Sequence, residues 1–423
     1  MRFVIATRRL ENPGGSETFV LSLAESLLQL GHGVVLFTSQ PGLMAEEAER
    51  RQMTVISDVG QLPGDIDATI ALDRSLAIDM ALVYPQAVRL YAMHNALEEW
   101  LPPPEPGIVA ATLAPNGRFE TLARGCAGAG VVIRMRQPVD MIRFSPRGFA
   151  NPTPSKVLFV GNYSEAEGQR LTLLKQAWGD FGLSWERLGH PEPTLNIAEA
   201  MAEADIVVGY GRTILEAMAC GRPAYVHEHS GSDGWVTPAT YDRLEAGGFS
   251  GAAVRAHPDI ATLRADFAAY SPGLGRAGQD LVRRHHDAKM VAAALVARIA
   301  DLSPAPRAHD PAALYGLKRL AESHLRAEAK AEQYRAEAKA AIRNNQVQIE
   351  AVRSAAAEIQ QGLQQRLDAI SAVKALAEQE AAAAMLRSIQ DATAAKAEIE
   401  ALHASTSWRL TAPLRALARR FGR

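Results

Sequence analysis

The chain has 423 residues, 48% hydrophobic and 22% charged, with a formal net charge of −2 at pH 7. That length exceeds one ordinary core and fits roughly two to three domains, while the charge balance argues against a generally basic, nucleic-acid-binding surface. The two cysteines, Cys126 and Cys220, stand far apart with no His/Cys cluster beside them, which suggests neither a disulfide framework nor a zinc site and fits a reducing cytoplasm.

The N-terminus reads as an opening strand, Phe3–Thr7, without the long apolar stretch of a secretory leader. Val34–Thr38 reads as a second strand, and between them Phe19, Leu23, Leu27 and Leu30 share one helix face, with Ser16 as the expected N-cap and Gly31 as the expected stop. Strand, helix, strand in that order implies a parallel sheet. Ala68–Leu72, Val88–Ala92 and Gly130–Met135 add strands, giving a doubly wound domain over residues 1–145. After Pro152 and Pro154 the alternation starts again. Val157–Val160, Trp185–Leu188, Asp205–Val208 and Ala224–Val226 read as strands, with helices at Gln169–Gly179, Asn196–Ala204 and Leu215–Ala219. A second Rossmann-like α/β domain over residues 146–302 follows, and two such domains in tandem leave a cleft suited to a ligand.

At Ser303–Pro306 the composition changes: Gly and Pro nearly vanish and Ala, Glu, Lys, Arg and Gln dominate. Residues 303–404 are expected to be a long helical extension in which RAEAKA recurs at Arg326 and Arg335. Ile342, Ile349, Val352, Ile359, Leu363, Ile370 and Val373 follow a three-four spacing interrupted by Asn345, Ala356 and Arg366, which predicts a coiled coil through self-association or a protein partner. Residues 405–423 hold Arg409, Arg415, Arg419, Arg420 and Arg423, no acid, and the apolar Trp408, Leu410, Leu414, Leu417 and Phe421. That basic amphipathic composition suits an anionic membrane surface. No run approaches the roughly 18 to 20 apolar residues needed to span a bilayer. The expected location is therefore cytoplasmic, peripheral at the inner membrane face.

Two loops carry chemistry. Asn12–Glu17 places Gly14 and Gly15 between the first strand and a helix N-terminus, where unpaired N–H groups and the helix dipole favour phosphate. In Val208–Pro223 a strand ends, Gly209 and Gly211 turn the chain, and a helix opens at Arg212 or Thr213, so that N–H groups, a hydroxyl and a guanidinium meet where a diphosphate would sit. Glu216, one turn on, is placed to accept hydrogen bonds from ribose hydroxyls. Farther along, Asp233 and Trp235 in a polar loop are expected to contact a ligand bound in the cleft. His227, Glu228 and His229 do not predict a metal site, because alternate strand residues face opposite ways and no third ligand is evident.

GYGRTILEAMACGRPAYV closely resembles the donor-binding segment of GT-B glycosyltransferases, particularly the large retaining families, and the chain is similar to glycosyltransferase families 4/1. Gly14–Glu17 with Leu30–Val34, and the hinge Gln137–Asp140 with Phe144–Pro146, are similar to further elements of those families, in the same order over residues 1 to about 300. The resemblance implies two Rossmann-like domains and metal-independent transfer of a sugar from a nucleotide diphosphate, with no cofactor. It further implies that His94 meets the transferring sugar as a catalytic residue alongside Glu216. Gly14, Gly15, Gly211, Arg212, Thr213, Glu216 and Asp233 are then the donor-binding residues. The tail resembles the STSWRLTxPLR end of bacterial envelope-polysaccharide glycosyltransferases, which implies a lipid-linked or polysaccharide acceptor. Val208 stands where the retaining pattern has its first glutamate, and the Gly161–Gly168 stretch lacks the pattern's diphosphate-gripping Arg and Lys. Arg212, and secondly Arg170, are the cations expected to replace them. Retention and inversion both stay open, and so do a non-catalytic donor-binding subunit and, less favoured, a sugar-nucleotide epimerase of the same fold.

Overall fold

The computed structural model describes the chain except residues 95–101, 162–168, 190–193, 229, 230, 252, 255, 256, 306–308, 422 and 423, and the side chains of 169, 170, 228, 328, 329, 332, 418, 420 and 421. It divides into two compact units, Met1–Arg326 and Ala327–Arg423.

The first unit holds two sheets. In chain order the first is built from β1 (Arg2–Leu10), α1 (Gly15–Gln29), β2 (Gly33–Pro41), α2 (Leu43–Arg50), β3 (Thr54–Ile56), β4 (Ala68–Ala71), α3 (Arg74–Val83), β5 (Val88–Ala92), β6 (Ala111–Ala114), α4 (Gly117–Arg124) and β7 (Val131–Arg134). Its seven strands run β3-β2-β1-β4-β5-β6-β7, with every pairing parallel. Alternate residues of β1 face opposite layers: Phe3 and Ile5 join α1 and α2 in one apolar cluster, while Val4 and Ala6 join α3 and α4 in another. Of the seven strands, β3 (three residues) and β6 (four residues) have no counterpart among the expected ones. Ser16 is not the N-cap of α1. The helix opens two residues earlier, capped by the extended Gly14, and the Ser16 hydroxyl donates to Glu17. The stop at Gly31 is as expected: φ is +83°, Gly31 N–H donates to Leu28 and His32 N–H to Leu27, closing the helix with a left-handed glycine.

The second sheet comes from β8 (Lys156–Val160), α5 (Gln169–Asp180), β9 (Ser184–Leu188), α6 (Ile197–Glu203), β10 (Ile206–Gly209), α7 (Arg212–Ala219), β11 (Ala224–Glu228) and β12 (Gly231–Trp235), in the order β12-β11-β10-β8-β9. Only β12, among the described pairings of this sheet, is antiparallel. The loop expected around Asp233 is therefore a hairpin strand. Helices α8 (Tyr241–Ala246), α9 (Ile260–Ala268), α10 (Gly273–His285) and α11 (Ala288–Ala300) follow. Sequence assigns α11 to the second domain, yet Val291, Ala292, Leu295 and Ile299 pack into the first domain's cluster beside α1. The chain thus crosses back once the second sheet is complete.

Helix α12 (Pro311–Ala404) starts on the same body: Leu314 and Leu317 cover the cluster under α3, and the Lys318 ammonium donates to Asp79 Oδ1 at 2.6 Å. In the second unit α12 continues to Ala404 and is followed by α13 (Thr406–Leu410) and α14 (Ala412–Phe421). The heptad apolar residues are all exposed there, Val352 and Val373 at 69%. Ser405 caps α13 through Trp408 N–H, Pro413 falls in the first turn of α14, where its missing N–H costs no helical bond, and the Arg415 guanidinium lies over the Trp408 ring. Among the described residues no helix is long and apolar enough to cross a membrane.

Candidate functional site

Each sheet reverses its winding once, between β1 and β4 in the first and between β8 and β10 in the second. Helices on either side of such a point leave a crevice beyond the carboxyl ends of the strands. The two crevices meet in one cleft, lined by Pro13, Gly14, Gly15 and Thr18 from the first domain and by Val160, Gly189, Thr194, Arg212, Thr213 and Glu216 from the second. Residues more than 190 positions apart in sequence therefore share one space.

Glycine is required at the α7 end for two separate reasons. Gly211, the residue capping α7, has φ +58° and ψ −128°, a conformation side chains resist. A Cβ on Gly209 would stand 2.8 Å from both the Val160 carbonyl and the Thr213 methyl, so β8 and α7 approach too closely for anything larger. The first-turn N–H groups of α1 and α7 lack intrahelical acceptors by helix geometry, and both turns border the cleft.

The Arg212 guanidinium does not point into open space, contrary to the sequence expectation. Its Nε donates to Glu216 Oε1 at 2.7 Å, Nη1 to the Pro138 carbonyl at 2.7 Å, and Nη2 to Ser22 Oγ on α1 at 2.9 Å. With a side chain only 5% exposed, it ties the second domain's α7 to the hinge and to the first domain. The reason is its helical position: four residues before Glu216, it meets that carboxylate on the same face. Burial raises the Glu216 pKa, with Arg212 and Arg143 pulling the other way.

A second cation lining the cleft, Arg143, was not singled out from sequence, because it falls between the hinge residues that carry the family resemblance. Its Nη2 donates to the Leu195 carbonyl at 2.6 Å, and Glu47 stands 3.9 Å from Nη1. Burial lowers its pKa, as does Arg51, while Glu216, Glu47 and Asp140 act in the opposite sense. The signal that would have found it is a cation flanked by a buried aromatic, Phe144, inside a chain crossing between domains.

His94 follows β5 at the same carboxyl edge of the first sheet but is not among the residues lining the described cleft. Burial lowers its pKa, Asp73 acting against that and Arg8 with it, so the imidazole is neutral at pH 7. Asp233 is 3% exposed, and its two oxygens accept from Gly251 N–H at 3.0 Å and Val254 N–H at 2.8 Å. Trp235 is buried with its indole N–H on the Asp266 carbonyl. Neither lines the cleft; their hydrogen bonds hold the β12 hairpin against the loop after α8 and against α9. Val208 is fully buried in the apolar cluster under α5 and α9, so position 208 offers the cleft no carboxylate. Asn162, Glu167 and the Arg170 side chain lie outside the described residues. Among those described, no three His, Cys, Asp or Glu side chains group as metal ligands.

No family model matches the chain, and no curated protein matches its sequence. Solved glycosyltransferase structures do share its architecture. Anabaena Alr3699/HepE, in complex with UDP and glucose, superposes with a TM-score of 0.50 at 14% identity, over 71% of this chain and 99% of that one. A glycosyltransferase from Rickettsia africae ESF-5 superposes with the same TM-score at 12% identity, over 71% and 98%. At such identity the likeness concerns the fold, which is GT-B: two Rossmann-like domains facing across a cleft, here followed by a long helix.

Proposed function

We propose that the protein transfers a sugar from a nucleotide-diphosphate donor to a lipid-linked or growing polysaccharide acceptor in cell-envelope polysaccharide synthesis, at the cytoplasmic face of the membrane. The observation that carries this reading is the cleft itself, where two glycine-led helix starts from separate domains border one space with Thr213 and Glu216. The N–H groups of those turns would hold the diphosphate, Glu216 the ribose hydroxyls and neutral His94 the transferring sugar. A fold shared with a protein crystallised with UDP and glucose supports the donor class. The basic amphipathic α14 supports attachment to anionic lipid, and the exposed three-four seam of α12 supports pairing with a second copy of the chain.

One observation favours a second reading, a donor-binding scaffold without turnover: position 208 supplies an apolar core residue rather than a carboxylate. Incubating the purified full chain with a panel of nucleotide sugars separates the two. Release of nucleoside diphosphate, with the sugar passed to water or to an acceptor, removes the scaffold reading. Calorimetric binding of a donor with no release from any of them removes the transferase.

A further inference from the structure

The cleft needs a cation for a diphosphate, and the one expected from sequence is committed elsewhere: each guanidinium nitrogen of Arg212 already donates to a protein oxygen. Arg143 is differently placed. Backbone on both sides of it is fixed, since Asp140 Oδ1 accepts from Ile142 N–H at 2.9 Å and Arg143 N–H at 3.0 Å, while Val139 and Phe144 are fully buried. The side chain, 22% exposed, borders the cleft together with Gly14, Gly15, Thr213 and Glu216. It is steadied by the Leu195 carbonyl, and Glu47 at 3.9 Å lies beyond hydrogen-bond reach. A guanidinium carries five N–H donors in a planar fork, so this arrangement leaves it the capacity to grip a phosphate through two of them. The balance of charge points the same way. With Arg212 neutralised by Glu216, Arg143 supplies the remaining positive charge among the residues lining the described cleft.

We propose that Arg143, contributed by the hinge chain, is a diphosphate-binding cation of this site. This rests on reading the cleft as a nucleotide-diphosphate-sugar site. In that arrangement the diphosphate meets the first domain at Gly14 and Gly15, the second at Thr213, and the segment joining them at Arg143.

Calorimetric titration of the full chain with UDP, GDP, ADP and dTDP, each beside its nucleoside, tests the assignment. Arg143→Ala should weaken the preferred diphosphate about ten- to hundredfold, change the nucleoside less than about twofold, and be partly restored in Arg143→Lys, which keeps the charge without the fork. Arg147→Ala on the same segment, an exposed arginine, is the charge-matched control and should bind as wild type does. Equal diphosphate binding by wild type and Arg143→Ala overturns the proposal while leaving the cleft's reading intact. Equal weakening of diphosphate and nucleoside also overturns it, since Arg143 would then only shape the cleft. If the wild type binds none of the four diphosphates, the reading of the cleft fails and the proposal fails with it.

Discussion

Arg212 shows how a residue that matches an anion-site pattern can be consumed by its neighbours. A buried charge must be paired, and Glu216 one turn along is the nearest partner, so the guanidinium turns along α7 and across to Ser22 rather than outward. Removing it strands a buried carboxylate. Arg212→Ala should lower the unfolding free energy by roughly 3–5 kcal/mol, read from urea titration. The double change with Glu216→Gln should recover part of that loss, because no charge is then left alone. A single variant as stable as wild type would show that the three bonds do not operate in solution. His286 is the acid-sensitive residue of the hinge. It is 1% exposed, its Nδ1–H donates to the Gln137 carbonyl at 2.9 Å, and its Nε2 accepts from the Tyr241 hydroxyl at 2.8 Å. Burial, reinforced by Arg136, pushes its pKa down to about 3, so the unfolded chain, titrating near 6.5, takes up a proton that the native state refuses. Stability is therefore full above about pH 6.5 and lost progressively down to about pH 3. At pH 4.5 the loss from this group should be about 3 kcal/mol. Urea titrations at pH 7.5 and 4.5 should show a smaller pH-induced loss in His286→Gln than in wild type; equal losses would mean that another group sets the acid limit.

At the level of elements, the first domain's core is completed from the far end of the body. Leu295 of α11 is 2% exposed and packs with α1, so Leu295→Ala should cost roughly 2–5 kcal/mol. Met290→Ala, on the exposed side of the same helix, should cost under about 0.5 kcal/mol. Thermal unfolding of the two variants makes the comparison, and similar losses would mean that α11 is anchored elsewhere. The pairing of α11 with α1 is invisible in the periodicity of α11, which reports that one face is apolar but not which surface covers it. The same applies to the β12 hairpin: GSDGW has a turn-like composition, and only pairing with β11, together with the bonds from Asp233 to Gly251 and Val254, makes it a strand. By contrast Gly211 before α7 and the stop at Gly31 were readable in place, because tolerance of positive φ is a property of the residue itself.

Across the whole chain, the tail carries the remaining prediction. Five arginines without an acid in residues 405–423 should each contribute on the order of 1 kcal/mol at an anionic leaflet, with attraction weakened as salt shortens the Debye length. Co-sedimentation with anionic vesicles should fall steeply with ionic strength for the full chain and be lost in a chain ending at Ala404. Equal binding by both chains, or none by either at low salt, would turn the tail into a partner-docking helix. Two tandem parallel α/β domains, a helical extension, a basic amphipathic end and two glycine-led helix starts could all be read directly from the amino acids. Each depends on periodicity, backbone freedom or charge density within a few residues. That Gly14 and Thr213 share a cleft, that Arg212 spends its charge on Glu216 and Ser22, and that Arg143 stands at the cleft beside them emerged only with the fold. Those facts depend on which distant surfaces meet once burial and pairing are satisfied together, and no local pattern encodes that.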